Sequence, residues 1–156
     1  MKNIIDLIGR MLMAFIFLYE AYDSIFFFKA TKQSMIDHGL NWHPDFLLYG
    51  AIFLLTVGGL MVLFGYRSSL GAAMLLIYWI PVTFIVHDYW TLPFDCMMNF
   101  DCSEIGLQGQ MDYRRLQATM FTKNLAIMAG LLMIWVNGSG RFSIKRLFAT
   151  TKVPGT

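Results

Sequence analysis

The sequence predicts an all-α integral membrane protein, a four-helix bundle with both termini in the cytoplasm and two outer loops. Three observations predict it. Apolar types make up 57% of the 156 residues and charged types 14%, against about 25% charged in an ordinary soluble domain. Four stretches approach the roughly 20 apolar residues that a helix needs to cross the hydrocarbon core. The alternating short segments of a transmembrane barrel are not visible, and helices are the other way to satisfy a backbone in lipid. This composition excludes a soluble enzyme, a disordered tail and a disulfide-dense secreted module. A net charge of +2 from scattered Lys and Arg argues against a nucleic-acid partner.

The expected organisation is one membrane domain, residues 1–148, with spans at about 4–28, 46–64, 70–86 and 118–136, and a flexible tail at 149–156. The first span begins with Lys2 and an apolar run, as a signal peptide does. Glu20 and Asp23 stand where a small-residue cleavage site is needed, so the span is retained. Gly65-Tyr66-Arg67-Ser68-Ser69 joins the second span to the third as an antiparallel hairpin. Pro81 kinks the third without breaking it, because neighbouring helices satisfy the freed carbonyl. The loop over residues 88–117 is longer than unstructured connections usually are, which suits a cap over the outer pocket or a contact with a partner. Its last part, residues 110–117, can start a helix feeding the fourth span. Small residues at Gly58 and Gly59, Gly71 to Ala73, and Thr122, Ala126 and Gly130 read as close helix packing.

The positive-inside rule sets the orientation. Lys2, Arg67, Arg141, Lys145, Arg146 and Lys152 lie on the side of the termini; Lys29, Lys32, Arg114 and Arg115 lie on the other. The excess places the termini in the cytoplasm. Trp42, Tyr49, Tyr89 and Trp90 then form an outer aromatic belt, with Tyr66 and Trp135 in an inner one.

Ionisable residues inside a span are expensive and face the bundle interior. Asp6 and Arg10 share a helix face and read as a pair snorkelling to the headgroups. A second group lies toward the outer side. At 1.5 Å per residue, Glu20 lies roughly 12 Å below the outer end of the first span, and Asp23 and Lys123 roughly 7 Å deep in theirs. His87 and Asp88 end the third span, and Asn124 follows Lys123. These six residues are expected to converge in one polar pocket opening outward, with Glu20 or Asp23 pairing Lys123. Such a pocket can serve a small polar or quinone-like molecule or proton transfer; it can equally be an ion pair that locks the bundle.

Cys96 and Cys102 lie in the long outer loop, in a compartment that permits disulfides. A structural bond between them is the first reading and a redox-active dithiol the second, since the spacing is not C-x-x-C. A metal site is not expected, because no His lies in that loop to complete a zinc set; His38 and His43 lie in the other outer loop. The sequence has no phosphate loop, haem-attachment motif or dinucleotide fingerprint. No intrinsic cofactor is expected, and redox chemistry would borrow a cofactor or a partner.

Several blocks together carry a family resemblance: Val86-His-Asp-Tyr-Trp90, Thr122-Lys-Asn-Leu-Ala-Ile-Met-Ala-Gly-Leu-Leu132 and Gly138-Ser-Gly-Arg-Phe-Ser-Ile144, with Gly9-Arg10, Gly58-Gly59 and Gly65-Tyr66-Arg67. Over about residues 8–147 the chain resembles the DoxX family of small bacterial membrane proteins. The resemblance implies a four-helix, multi-pass protein of the bacterial inner membrane, associated with oxidoreductase systems. One branch is a subunit of a thiosulfate:quinone oxidoreductase, and another is linked to a complex handling thiol and superoxide stress. It points to Arg10, His87, Asp88, Trp90, Lys123 and Asn124. Many relatives carry an acidic residue shortly before the Gly-Gly of the second span. Leu55 and Thr56 stand there in this chain, and its acid is Glu20 on the first span.

The expected function is a subunit of a quinone-linked oxidoreductase system. His87, Asp88 and Lys123 would be catalytic, and Glu20, Asp23, Trp90 and Asn124 would bind substrate. Quinone is the borrowed cofactor, and the partners are the lipid bilayer and either another protein or a second copy. The alternative is a non-enzymatic scaffold or assembly factor.

Overall fold

Glycine, proline and positive-φ residues mark the helix ends. The computed structural model describes residues 2–90, 107–138 and 143, which form five helices and, among the described residues, no strand. They are α1 (Lys2–Phe26), α2 (Phe28–Asp37), α3 (Pro44–Phe64), α4 (Ser68–Val86) and α5 (Leu107–Asn137). Pro44 opens α3, where a missing N–H loses no helical bond. Gly65 closes it at φ 67°, donating its N–H to the Val62 carbonyl. Arg67 is also left-handed, at φ 47°, and its carbonyl accepts from Leu70 and Gly71 at the start of α4. The expected hairpin link thus contracts to Gly65, Tyr66 and Arg67. α4 continues through Pro81 without a break.

The structure has one helix more than the sequence predicts. Phe27 interrupts the first long helix at φ −106° and ψ 35°, but its N–H still donates to Asp23 and its carbonyl accepts from Thr31. Beyond it α2 occupies most of the connection expected between the first and second spans. Lys32 bonds Asp45 in the first turn of α3 at 2.6 Å, and Phe28 packs on Tyr49 at 5.1 Å. α5 also starts at Leu107, ahead of its expected span, as a helix feeding in from the long loop. Cys96, Cys102 and the tail at 149–156 lie outside the described residues.

Among the described residues three helical segments are long and apolar enough to cross a membrane: Pro44–Phe64, Ser68–Val86 and Arg114–Asn137. α1 has the length, 25 residues, but its charges Asp6, Arg10, Glu20 and Asp23 set it apart in composition. α1 packs on α3, α3 on α4 and α4 on α5, while α1 and α5 touch only lightly. The core joins Ala14, Phe17 and Ala21 to Leu55, Val62, Leu75, Trp79, Met128 and Leu131. Phe17 meets Trp79 edge-on at 5.1 Å, a favourable aromatic geometry. Phe15, Phe53, Ile77 and Val136 point outward and are exposed.

The α3–α4 contact is a backbone approach. A Cβ on Gly71 would lie 2.9 Å from the Gly58 carbonyl oxygen and 2.8 Å from Met61 Cβ; one on Gly58 would lie 3.1 Å from the Gly71 oxygen. Gly59 receives the Leu18 side chain of α1, whose Cδ2 lies 2.9 Å from the Cβ position.

Arg10 departs from the snorkelling expectation. It is 1% exposed, with Nε donating to Asp6 at 3.2 Å. The reason is helical phase. Arg10, Ala14, Phe17, Ala21 and Ser24 form one buried stripe, and the guanidinium projects with that stripe into the bundle.

This packing sets the outcome of four substitutions. Gly71→Ala presses a methyl against Met61 and the Gly58 carbonyl and should cost about 1–3 kcal/mol, read as a lower thermal midpoint in detergent. Gly50→Ala, whose added Cβ meets nothing within 4 Å, should leave the midpoint unchanged or raise it. Asp6→Asn strips a carboxylate from a buried guanidinium and should cost about 3 kcal/mol; combining it with Arg10→Met should recover part of the loss in folded yield.

Candidate functional site

The light contact between α1 and α5 leaves a seam. Near its middle, Met13 of α1 packs on Gly130 of α5, whose Cβ position lies 3.0 Å from Met13 Cε. Toward the end of the bundle where α1 finishes, the next two turns carry Glu20 on α1 and Lys123 on α5. Glu20 is half-buried, and Asp23, Lys123 and His87 all lie within its electrostatic reach. Tyr78 of α4 faces the same carboxylate. Three helices therefore bring Glu20, Asp23, Tyr78, His87 and Lys123 to one place.

His87 caps the C-terminus of α4 and leaves helical geometry at φ −113° and ψ 42°. Its Nδ1 lies 2.7 Å from Oε1 of Gln117 on α5. Asp88 follows, half-buried and engaged in interactions of its own. The turn is held by rings: Tyr89 and Trp90 pack on Phe121 of α5 at 5.6 and 5.3 Å, and Phe84 packs on the same ring at 5.5 Å. Trp90 thus belongs to an aromatic wall beside the charges.

Lys123 is exposed, and its ammonium donates to Met120 Sδ at 3.2 Å. Among the described residues no ion pair joins it to Glu20 or Asp23, so the expected salt bridge does not close. Equal depth brings these groups level, but the lateral gap at the α1–α5 seam separates them. Asn124, the next residue, is 2% exposed and lies on the stripe that takes Met128 and Leu131 into the core. One residue along a helix is a rotation of about 100°, which separates buried Asn124 from exposed Lys123.

Sequence reasoning did not single out Gln117 or Tyr78. The signal for Gln117 was its place on the α5 stripe with Phe121 and Asn124; the signal for Tyr78 was a phenol beside the buried Trp79. Chemically, the cluster offers an ammonium donor, carboxylate acceptors and an imidazole able to exchange a proton. Among the described residues no group of three or more His, Cys, Asp or Glu is arranged to hold a metal ion.

The chain is similar to inner membrane protein YqjF of Escherichia coli strain K12, with 29% identity over 150 residues, covering 94% of this chain and 96% of that protein. No solved structure matches it. The family model described as DoxX matches residues 5–88, which run from the first turns of α1 through α2, α3 and α4 to the His87–Asp88 turn. More than half of the chain carries that match, and the chain belongs to the DoxX family.

Proposed function

We propose that this chain is a four-span, multi-pass protein of the bacterial inner membrane and a subunit of a quinone-linked oxidoreductase system of the thiosulfate or thiol type. α1 is the fourth span. Its 25 residues reach roughly 37 Å, more than the roughly 30 Å hydrocarbon core. Its charges are turned toward protein: Arg10 is buried against Asp6, and Glu20 is half-buried toward α4 and α5. Four spans put both termini on one side, and the Lys and Arg excess there favours the cytoplasm. The name of the Escherichia coli relative supports the inner membrane.

The observation that carries the redox reading is the Lys123 ammonium, which stands at an exposed seam with Glu20 and His87 nearby and, among the described residues, no carboxylate closed upon it. An ion pair that merely locked the bundle would be shut. Lys123 donates a charge-assisted hydrogen bond to a quinone oxygen or to an anionic sulfur substrate. His87, next to Asp88, exchanges the protons that accompany quinone reduction, while Glu20 and Asp23 balance the cation. Trp90 flanks the site, while Asn124 lies behind it in the core. Quinone is borrowed from the membrane, and the electrons come from a partner protein.

Native mass spectrometry of the protein extracted in mild detergent tests this reading. A retained quinone-sized mass is expected, and Lys123→Ala should weaken its retention about 10- to 100-fold, the loss of one hydrogen bond to a charged group. A bare chain, or a complex with another protein alone, would instead support a scaffold or assembly factor. Thiol labelling of intact cells tests the orientation: Cys96 and Cys102 should react from outside only after reduction. Labelling that needs permeabilisation and no reductant would reverse the topology.

A further inference from the structure

An imidazole that moves protons must present one nitrogen with its lone pair free, and in His87 that choice is made by a residue outside the charged cluster. Nδ1 lies 2.7 Å from Gln117 Oε1. An amide oxygen only accepts, so the proton between them belongs to Nδ1. A neutral imidazole carries one N–H, and the hydrogen bond at one nitrogen fixes the role of the other. We infer that Gln117 is a positioning residue that holds neutral His87 as the Nδ1–H tautomer and leaves Nε2 as the nitrogen that takes up and gives back a proton.

Both partners are held for this task. His87 sits at the C-cap of α4, outside the helical ladder, and the following Tyr89 and Trp90 are pinned on Phe121. Gln117 and Phe121 are one turn apart on α5, so the rings that fix the turn also set the distance of the amide. Both His87 and Gln117 are half-buried, which limits competition from water. The neutrality of Gln117 also has a consequence. A carboxylate in its place would orient the ring too, but it would stabilise the imidazolium, in a neighbourhood that already holds Glu20, Asp23 and Asp88. An amide fixes the tautomer without adding to that acidity. What Nε2 does in turnover rests on the proposed function; the tautomer does not.

The test is NMR of the imidazole nitrogens in the full-length protein in lipid nanodiscs, with isotope-labelled histidine. Histidine occurs three times, and the His38→Gln, His43→Gln background leaves His87 as the sole signal. At a pH where the ring is neutral, Nδ1 should carry the proton and Nε2 should show the unprotonated shift. Gln117→Leu should move the tautomer ratio toward Nε2–H by about tenfold, the order of one hydrogen bond, whereas Gln117→Glu, which keeps an acceptor, should retain Nδ1–H. If Gln117→Leu fails to fold, Gln117→Asn replaces it: one methylene shorter, it should also release the lock. An Nε2–H ring in the parent protein would mean that the amide presents its NH2 group and would overturn the assignment. So would a tautomer ratio indifferent to the Gln117 variants, or a ring that stays doubly protonated. Quinone retention read on the same samples separates the two claims. A Gln117-dependent Nδ1–H ring without bound quinone removes the proposed function and leaves this assignment standing.

Discussion

The backbone approach of Gly58 to Gly71 sets the position of nearly everything else in the bundle. With no side chain on either residue, α3 and α4 form a tight hairpin that acts as a central plate. α1 lies against it through Leu18 on Gly59 and Phe17 on Trp79, and α5 lies on the α4 side through Met128 and Leu131. The outer helices therefore meet each other only at the margin, where Met13 touches Gly130. That margin is the seam in which Glu20 and Lys123 face one another. A bulkier plate would push α4 outward and carry His87 away from Gln117, so the geometry of the polar cluster depends on two hydrogens in place of two methyl groups.

Two cations show how helical phase decides the fate of a charge in this chain. Arg10 falls on the buried stripe of α1 and is taken inside, where Asp6 offsets part of its desolvation. Lys123 stands one residue from the buried stripe of α5 and is turned out to the seam. The first is bound up in packing. The second keeps a donor available; among the described residues it bonds a thioether sulfur, a weak acceptor.

Much of this was legible in the sequence. Hydrophobic length located α3, α4 and the apolar part of α5, because a run that long and that apolar matches the thickness of a hydrocarbon core. Depth counting brought Glu20, His87 and Lys123 level, since rise per residue is fixed. Depth says nothing about lateral distance, however, and so the salt bridge was expected where the seam holds the groups apart. The burial of Arg10 was readable from the stripe through Ala14, Phe17 and Ala21, but a charge near a span end reads first as snorkelling. α2 was missed because its ten residues mix Lys29, Lys32 and Asp37 with Phe28, Met35 and Ile36, and its tie to α3 through Lys32 and Asp45 is a tertiary contact. Gln117 lay in a stretch read as the end of a loop, and its role depends on a ring thirty residues earlier in the chain.

The position of Lys123 also bears on which ligand suits the proposed site. The ammonium is exposed at a seam where Met120 and Ile127 lie one turn from Lys123 on α5 and Ile16 lies one turn from Glu20 on α1, all of them apolar. A ligand that reaches it from the bilayer must itself dissolve there. A quinone does so, with a carbonyl oxygen that accepts from the ammonium and an apolar body that matches the walls. A small sulfur oxyanion would surrender its hydration on the same path, and one ammonium beside Glu20 and Asp23 offers little to offset that loss. Such an anion would have to arrive from the aqueous end, past His87 and the aromatic wall. Within the proposed reading, the seam therefore favours the lipid-soluble member of the couple, and the sulfur chemistry belongs to the partner.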